Sequence, residues 1–102
     1  MAPAIQAIHD KPQVSWTVER LAQLCNKSRS AFAASFSNTV GMSPMAYVTH
    51  WRMQRARQLL ASTEETVAGV AAAVGYDSEW AFSKAFKRSF STTPSAFRTS
   101  AN

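Results

Sequence analysis

Residues 76–90, YDSEWAFSKAFKRSF, match residues 26–40, NKSRSAFAASFSNTV, when the chain is laid over itself at an offset of fifty positions. Each stretch has a serine followed by phenylalanines spaced four residues apart, beginning at Phe32 and Phe82. Residues four apart lie on one face of an α-helix. Each stretch therefore predicts a helix with a buried aromatic face and a serine as its N-terminal cap.

The match extends beyond these two helices. Between residues 28–47 and 78–97, six positions are identical: Ser28/Ser78, Ala31/Ala81, Phe32/Phe82, Phe36/Phe86, Pro44/Pro94 and Ala46/Ala96. Upstream the offset falls to forty-nine, so that Thr17 corresponds to Thr66 and the turn of the second copy is one residue longer. The helix caps, the aromatic residues of the predicted core and the residues that end helices all match in one register. This agreement indicates an internal repeat.

The apolar spacing is helical along nearly the whole chain and predicts an all-α fold of about seven helices. We expect a short helix over residues 3–10, helices capped by Thr17, Ser28, Ser43, Thr66 and Asp77 or Ser78, and a last turn or two from Pro94. The apolar residues Leu21 and Leu24 are predicted to point inward. In each copy a short helix, a turn and a second helix follow one another, which is the helix-turn-helix plan. One domain, 1–102, then comprises two helix-turn-helix units, 1–43 and 62–102, and a linker helix over 44–61.

The composition indicates an anionic partner and gives no sign of an enzyme. Eleven Lys and Arg against six Asp and Glu leave a net charge of +5 on 102 residues. The single cysteine excludes a disulfide framework, and the two isolated histidines, His9 and His50, predict no metal, cofactor or catalytic site. No apolar run approaches the roughly 18 residues of a membrane span, and no signal peptide is present. We therefore expect a cytoplasmic protein without cofactors.

The repeat carries motifs that resemble the DNA-binding domain of AraC/XylS-type bacterial transcription regulators. The matching stretches are SRSAFAASF (28–36), GMSPMAY (41–47), VGYDS (74–78) and FSKAFKR (82–88), followed by Phe90, Pro94, Phe97 and Arg98. The resemblance covers about residues 15–98, and residues 7–10 and 16–17 are similar to the branch with an N-terminal cupin-like domain. It implies two recognition helices, about 28–39 and 78–89, that enter successive major grooves of double-stranded DNA. Ser91 departs from the family, which usually has glycine there, as at Gly41 in the first copy.

The resemblance and the phenylalanine register together give candidate DNA contacts. They are Ser28, Arg29, Ser30, Ala33, Ala34 and Ser37 in the first copy, and Ser78, Glu79, Trp80, Ser83, Lys84, Lys87 and Arg88 in the second. The first helix offers small groups and one strong donor, Arg29. The second offers Lys84 for guanine, Glu79 for cytosine and Trp80 for a methyl group or a sugar. We therefore expect the second copy to carry more of the sequence readout.

Other cations are candidates for phosphate contacts. They are Arg98 near the end of the chain and Arg52, Arg55 and Arg57 on the linker helix. Arg52 occupies a position that the family pattern favours, and the resemblance therefore gives it a second interpretation, as a structural anchor between the two units.

The resemblance also implies partners. RNA polymerase is one, and an effector or dimerisation domain is another, for which 102 residues leave no room. We expect a monomeric fragment of a longer regulator, or a stand-alone regulator. The charge alone also fits a basic helical module that binds proteins or a membrane surface without base readout. A third interpretation has one functional reading helix, with the other unit as support.

Overall fold

The computed structural model of the chain describes residues 1–101 and confirms the all-α prediction. Over these residues it contains seven α-helices and no strand. The helices are α1 (Ala2–Asp10), α2 (Val18–Leu24), α3 (Arg29–Val40), α4 (Pro44–Ser62), α5 (Val67–Ala73), α6 (Glu79–Phe90) and α7 (Pro94–Ala101). Four residues separate α2 from α3 and five separate α5 from α6, as the change of offset predicts.

Side-chain caps begin the helices at the predicted serines and threonines. The hydroxyls of Thr17, Ser28, Ser43, Thr66 and Ser78 each accept a hydrogen bond from the backbone N–H three residues later, at 2.9–3.2 Å. For α6 the cap is Ser78 and not Asp77. Thr93 caps α7 in the same way, at 3.1 Å, although the sequence analysis did not single it out. Each cap satisfies a backbone donor that the first turn of a helix leaves open, which contributes about 1 kcal/mol.

The chain divides into two compact units, each with its own core. Unit 1 is Met1–Trp51, and its α2 packs on α3. The fully buried side chains of unit 1 come from α1, α2, α3 and the start of α4, and they are Ala4, Ile8, Leu21, Ala22, Phe32, Phe36 and Val48. The paired phenylalanines of the repeat are therefore core residues here, as their spacing predicts.

Unit 2 begins at Arg52 and repeats the two buried phenylalanines, although most of its other core side chains differ from those of unit 1. Its core comprises Met53, Ala56, Leu60, Val70, Ala71, Val74, Phe82 and Phe86. The sequence analysis did not anticipate Met53 and Ala56, because a methionine and an alanine on a helix rich in polar residues give little signal of burial. The prediction for Leu24 was wrong: as the last residue of α2, in unit 1, it is 44% exposed.

Left-handed backbone conformations occur at equivalent places in the two units, in the turn of each helix-turn-helix and at the end of its second helix. Asn26 (φ 55°) and Gly75 (φ 94°) lie in the turns of the two helix-turn-helix units, and Gly41 (φ 89°) and Ser91 (φ 61°) end α3 and α6. Glycine adopts this conformation without a side-chain penalty, whereas a non-glycine residue is disfavoured by about 1–2 kcal/mol. Ser91 therefore carries backbone strain at the end of α6, whereas the equivalent residue at the end of α3 is a glycine.

Replacing Ser91 with glycine is expected to stabilise the chain. The Ser91→Gly variant keeps the backbone hydrogen bond from N–H of residue 91 to the Lys87 carbonyl and removes the Cβ that disfavours positive φ. We expect a gain of about 1 kcal/mol, measured as a rise in the midpoint of thermal unfolding. The matched change Gly41→Ser, in unit 1, should lower the midpoint by a similar amount. An unchanged midpoint in both variants would contradict this account.

Candidate nucleic-acid interface

The outer face of α3 has small side chains at the predicted positions. Ser30, Ala34 and Ser37 are exposed, and Ala33 is partly exposed. These positions lie on the side of the helix opposite the buried Phe32, so burial of the aromatic face determines which residues remain accessible. The face offers methyl groups and hydroxyls, and no cation apart from the first residue of the helix.

That first residue, Arg29, already has a partner within unit 1. Its Nε lies 2.8 Å from Oε1 of Glu19 in α2, and both side chains are more than half exposed. Glu19 was not among the residues predicted from the sequence. The two residues are ten positions apart and lie on different helices, so only the packing of α2 on α3 brings them together.

The two cap serines are exposed but their hydroxyls are engaged. Ser28 accepts from the N–H of Ala31 at 3.2 Å, and Ser78 accepts from the N–H of Ala81 at 3.0 Å. Each hydroxyl retains its own O–H and so can still donate to an acceptor such as a phosphate oxygen.

The outer face of α6 is chemically richer. Trp80 is 70% exposed, the largest exposed fraction among the large hydrophobic side chains of the described residues. Nζ of Lys84, one turn later, lies 4.3 Å from the centre of its ring, which is a cation–π contact. Glu79 is exposed and Ser83 is partly exposed on the same face. A flat apolar ring, an ammonium group and a carboxylate are thus placed together on one side of the helix.

Further basic groups lie on the last turn of α6. Lys87 and Arg88 are exposed, and within residues 1–101 no ion pair joins either of them to an acid. They occupy the C-terminal turn, where cations also interact favourably with the helix dipole.

Two arginines that unit 2 draws from α4 pack on aromatic rings. The guanidinium of Arg52 lies 5.6 Å from the ring centre of Tyr76, and that of Arg57 lies 5.0 Å from the ring centre of Phe90. Burial raises the pKa of the Tyr76 hydroxyl above its ordinary value, and the positive charges of Arg52 and Arg88 offset part of that rise. Arg52 packs on the residue that follows Gly75 in the turn of unit 2, and this contact favours a structural role inside unit 2.

Arg98 caps a helix end. Its Nε donates to the carbonyl of Leu60 at 3.1 Å, and its Nη2 donates to the carbonyl of Thr63 at 3.4 Å, at the C-terminal end of α4. A partly buried arginine on the last carbonyls of a helix satisfies acceptors that have no partner in the helix itself. This geometry favours a structural role for Arg98 over the phosphate contact that its sequence position suggested.

The histidine of α1 packs against aromatic side chains of unit 1. His9 stacks on Trp51 with ring centres 3.9 Å apart, and its Nε2 lies 2.7 Å from the hydroxyl of Tyr47. The sequence analysis treated His9 as isolated, because its partners are about forty positions away. Within residues 1–101, no group of three or more metal-ligating side chains comes together, and no helix has the length and apolar character to cross a membrane.

Removing the guanidinium of Arg98 is expected to destabilise unit 2. In Arg98→Met the stem is retained while the carbonyls of Leu60 and Thr63 lose their donors, which should cost about 1–2 kcal/mol. The matched variant Lys87→Met removes an exposed cation with no acid partner and should leave stability within about 0.5 kcal/mol of the starting protein. Urea unfolding of both variants measures the difference. Equal stability of the two variants would contradict the capping role.

Comparison with known proteins identifies the family. The helix-turn-helix domain family matches residues 21–100. The transcriptional regulator AlkR of Acinetobacter baylyi is 44% identical over 98 residues, and a putative AraC-like transcription regulator of Streptomyces lividans is 43% identical; the match covers 96% of this chain and 32% of each relative. The chain thus spans about a third of the length of the curated relatives it matches.

A solved structure shares the fold over nearly the whole chain. It is the DNA-binding domain of AdpA, described as a global transcriptional factor and solved in complex with a target DNA. It superimposes with a TM-score of 0.93 at 26% identity, covering 97% of this chain and 89% of that one. Its fold and the names of the relatives confirm the predicted family, whose members are transcription regulators and not enzymes. The chain belongs to the AraC-type helix-turn-helix family of transcription regulators.

Proposed function

We propose that this chain binds double-stranded DNA sequence-specifically for transcription regulation, with α3 and α6 as its two recognition helices. The observation that carries the proposal is the repeated arrangement of a capped helix, a turn and a second helix whose outer face is open to solvent. In a helix-turn-helix the second helix lies in the major groove, and its N-terminal residues meet base edges. The similar AdpA domain, solved with a target DNA, supports the same use of this fold.

In unit 2, we assign base reading to the group formed by Glu79, Trp80, Ser83 and Lys84. The ring of Trp80 holds the ammonium of Lys84 4.3 Å from its centre, so the cation is already directed along the outer face of α6. An ammonium donates to O6 and N7 of guanine, and an apolar ring packs on a thymine methyl. A carboxylate at Glu79 accepts from the amino group of cytosine. Each well-placed contact contributes about 1–3 kcal/mol of discrimination.

In unit 1, base reading rests on weaker contacts. The methyl groups of Ala33 and Ala34 fit thymine methyls, and Ser30 and Ser37 can pair with several bases. Arg29 is paired through Nε with Glu19, whose negative charge offsets part of the attraction between the guanidinium and an acceptor on a base. Unit 1 therefore discriminates less than unit 2, which agrees with the expectation from the residue types. If unit 1 does not discriminate between base sequences, the chain has a single recognition helix that reads sequence, α6.

Phosphate contacts supply the sequence-independent part of the affinity. Lys87 and Arg88 have no acid partner in the described part of the chain, and the O–H groups of Ser28 and Ser78 lie at the N-terminal ends of the two recognition helices. Neutralising phosphates releases bound counterions, so binding weakens as salt rises, with a slope of about 0.9 for each phosphate contacted.

Membership of the AraC-type family supports a proposal about further partners. We propose RNA polymerase and an effector or dimerisation domain as further partners, and a monomeric state for this stretch of chain by itself. A regulator of chromosomal DNA in bacteria acts in the cytoplasm, which is where we place this protein.

Selection of binding sites from random duplex DNA tests the proposal. The starting protein should enrich a defined motif, whereas Lys84→Ala should lose the preference for guanine in one part of it, at a cost of about 1–3 kcal/mol. Lys87→Ala is the matched control, because it removes one cation from the same helix outside the reading group. It should weaken binding to all sequences alike and lower the salt slope by about 1.

Two results would overturn the proposal. Recovery of no motif at any salt concentration would show that the chain does not read sequence. Recovery of the same motif by the starting protein and by Lys84→Ala would show that α6 does not read it through Lys84.

A further inference from the structure

The ion pair between Arg29 and Glu19 engages the single cation that α3 contains. The 2.8 Å separation joins Nε of the arginine to Oε1 of the glutamate, with exposed fractions of 67% and 59%. Arg29 is the first residue of α3, at the end of the helix that approaches DNA in a helix-turn-helix. The guanidinium that this helix offers to a phosphate therefore already has an anionic partner.

The other cations beside the helix-turn-helix of unit 1 have contacts of a different kind. The guanidinium of Arg20 lies 5.3 Å from the ring centre of Trp16 and donates to the carbonyl of Ser15. Nζ of Lys27 donates to the hydroxyl of Ser35 at 3.4 Å. None of these contacts neutralises a charge. Of these three cations of unit 1, Arg29 is the one that contacts a carboxylate.

The internal repeat shows that the ion pair is not required by the fold. Unit 2 has Ala68 at the position of Glu19 and Glu79 at the position of Arg29, yet it forms the same capped helices with the same buried phenylalanines. An exposed ion pair contributes at most about 1 kcal/mol to stability. The ion pair therefore occurs in unit 1 without an equivalent in unit 2, and we expect it to affect DNA binding more than stability.

We propose that Glu19 competes with DNA phosphate for Arg29 and thereby lowers the affinity of unit 1 for DNA of any sequence. The inference rests on the proposed function of DNA binding. The Nε–H that Glu19 engages is a donor that a phosphate oxygen also accepts, and the charge of the carboxylate offsets the attraction of the remaining guanidinium N–H groups for phosphate. With Arg29 paired to Glu19, unit 1 loses one phosphate contact from non-specific binding, and sequence-specific contacts account for a larger share of the affinity.

Neutralising the carboxylate is expected to tighten binding. The Glu19→Gln variant should bind a short duplex of mixed sequence about threefold to tenfold more tightly at low salt, with a salt slope steeper by about 0.9 for one added phosphate contact. Fluorescence anisotropy of the labelled duplex with the full chain, over a series of salt concentrations, measures both quantities. Thermal unfolding of each variant confirms that it is folded.

A double-mutant cycle separates release of the arginine from simple removal of charge. Arg29→Gln alone should weaken binding by less than about twofold, but in the Glu19→Gln background it should remove the whole gain and the added slope. Asp10→Asn is the matched control, since Asp10 is an exposed acid of unit 1 whose contact is a hydrogen bond from Gln6. It should change the affinity by less than about twofold and leave the slope unchanged.

Three results would overturn the inference: no gain in Glu19→Gln, an equal gain in Asp10→Asn, or a gain that persists when Arg29 is also replaced. Failure of the proposed function gives a different result, in which the starting protein binds no duplex at any salt concentration. If the protein binds duplex DNA but Glu19→Gln does not change its affinity, the proposed function stands and the inference about Glu19 is wrong.

Discussion

Burial of two phenylalanines, four residues apart on the second helix of each unit, determines how the rest of the unit is arranged. Phe32 and Phe36 are fully buried in unit 1, as are Phe82 and Phe86 in unit 2. Within each pair the ring centres lie 5.6–5.8 Å apart, in tilted contact. Truncating such a side chain to alanine typically costs about 3–5 kcal/mol, more than any cap or surface contact in the molecule. The helix cannot rotate without exposing these rings, so its opposite face is fixed toward solvent.

The two units use this common arrangement with different surface chemistry. On α6, Trp80 and Lys84 form a cation–π pair beside basic residues that have no acid partner within residues 1–101. On α3 the corresponding face holds small side chains, and Arg29 is held by Glu19. The duplication thus preserves the core while the outer faces diverge, which is the pattern expected when one scaffold is kept and two surfaces acquire separate roles.

Much of the fold was predictable from the sequence because its signals are local. Caps lie three residues from the N–H groups they accept, and the buried phenylalanines repeat at helical spacing, so the helices and the register of each outer face follow from short stretches. Ser91 stands where the family usually has glycine and where the first copy has Gly41, and its φ of 61° is left-handed, as is that of Gly41.

What the sequence did not reveal depends on contacts between distant positions. Glu19 meets Arg29 only because α2 packs on α3, and Arg98 meets the end of α4 across more than thirty positions. Leu24 has the right spacing for the inner face of α2, but its place at the end of the helix leaves it exposed. Apart from Leu24, residue type and spacing thus predicted the exposed side chains discussed above, and the partners that engage some of them appear only in the folded chain.

The central claim is that one chain presents two reading helices to DNA. Hydroxyl-radical footprinting of this chain on a duplex enriched by selection tests it most directly, because cleavage reports every segment of backbone that the protein covers. We expect two separate protected segments on one face of the DNA, with centres about 10 base pairs apart, one for each recognition helix. A single protected segment would contradict the claim and would leave one unit as a support without contact to DNA.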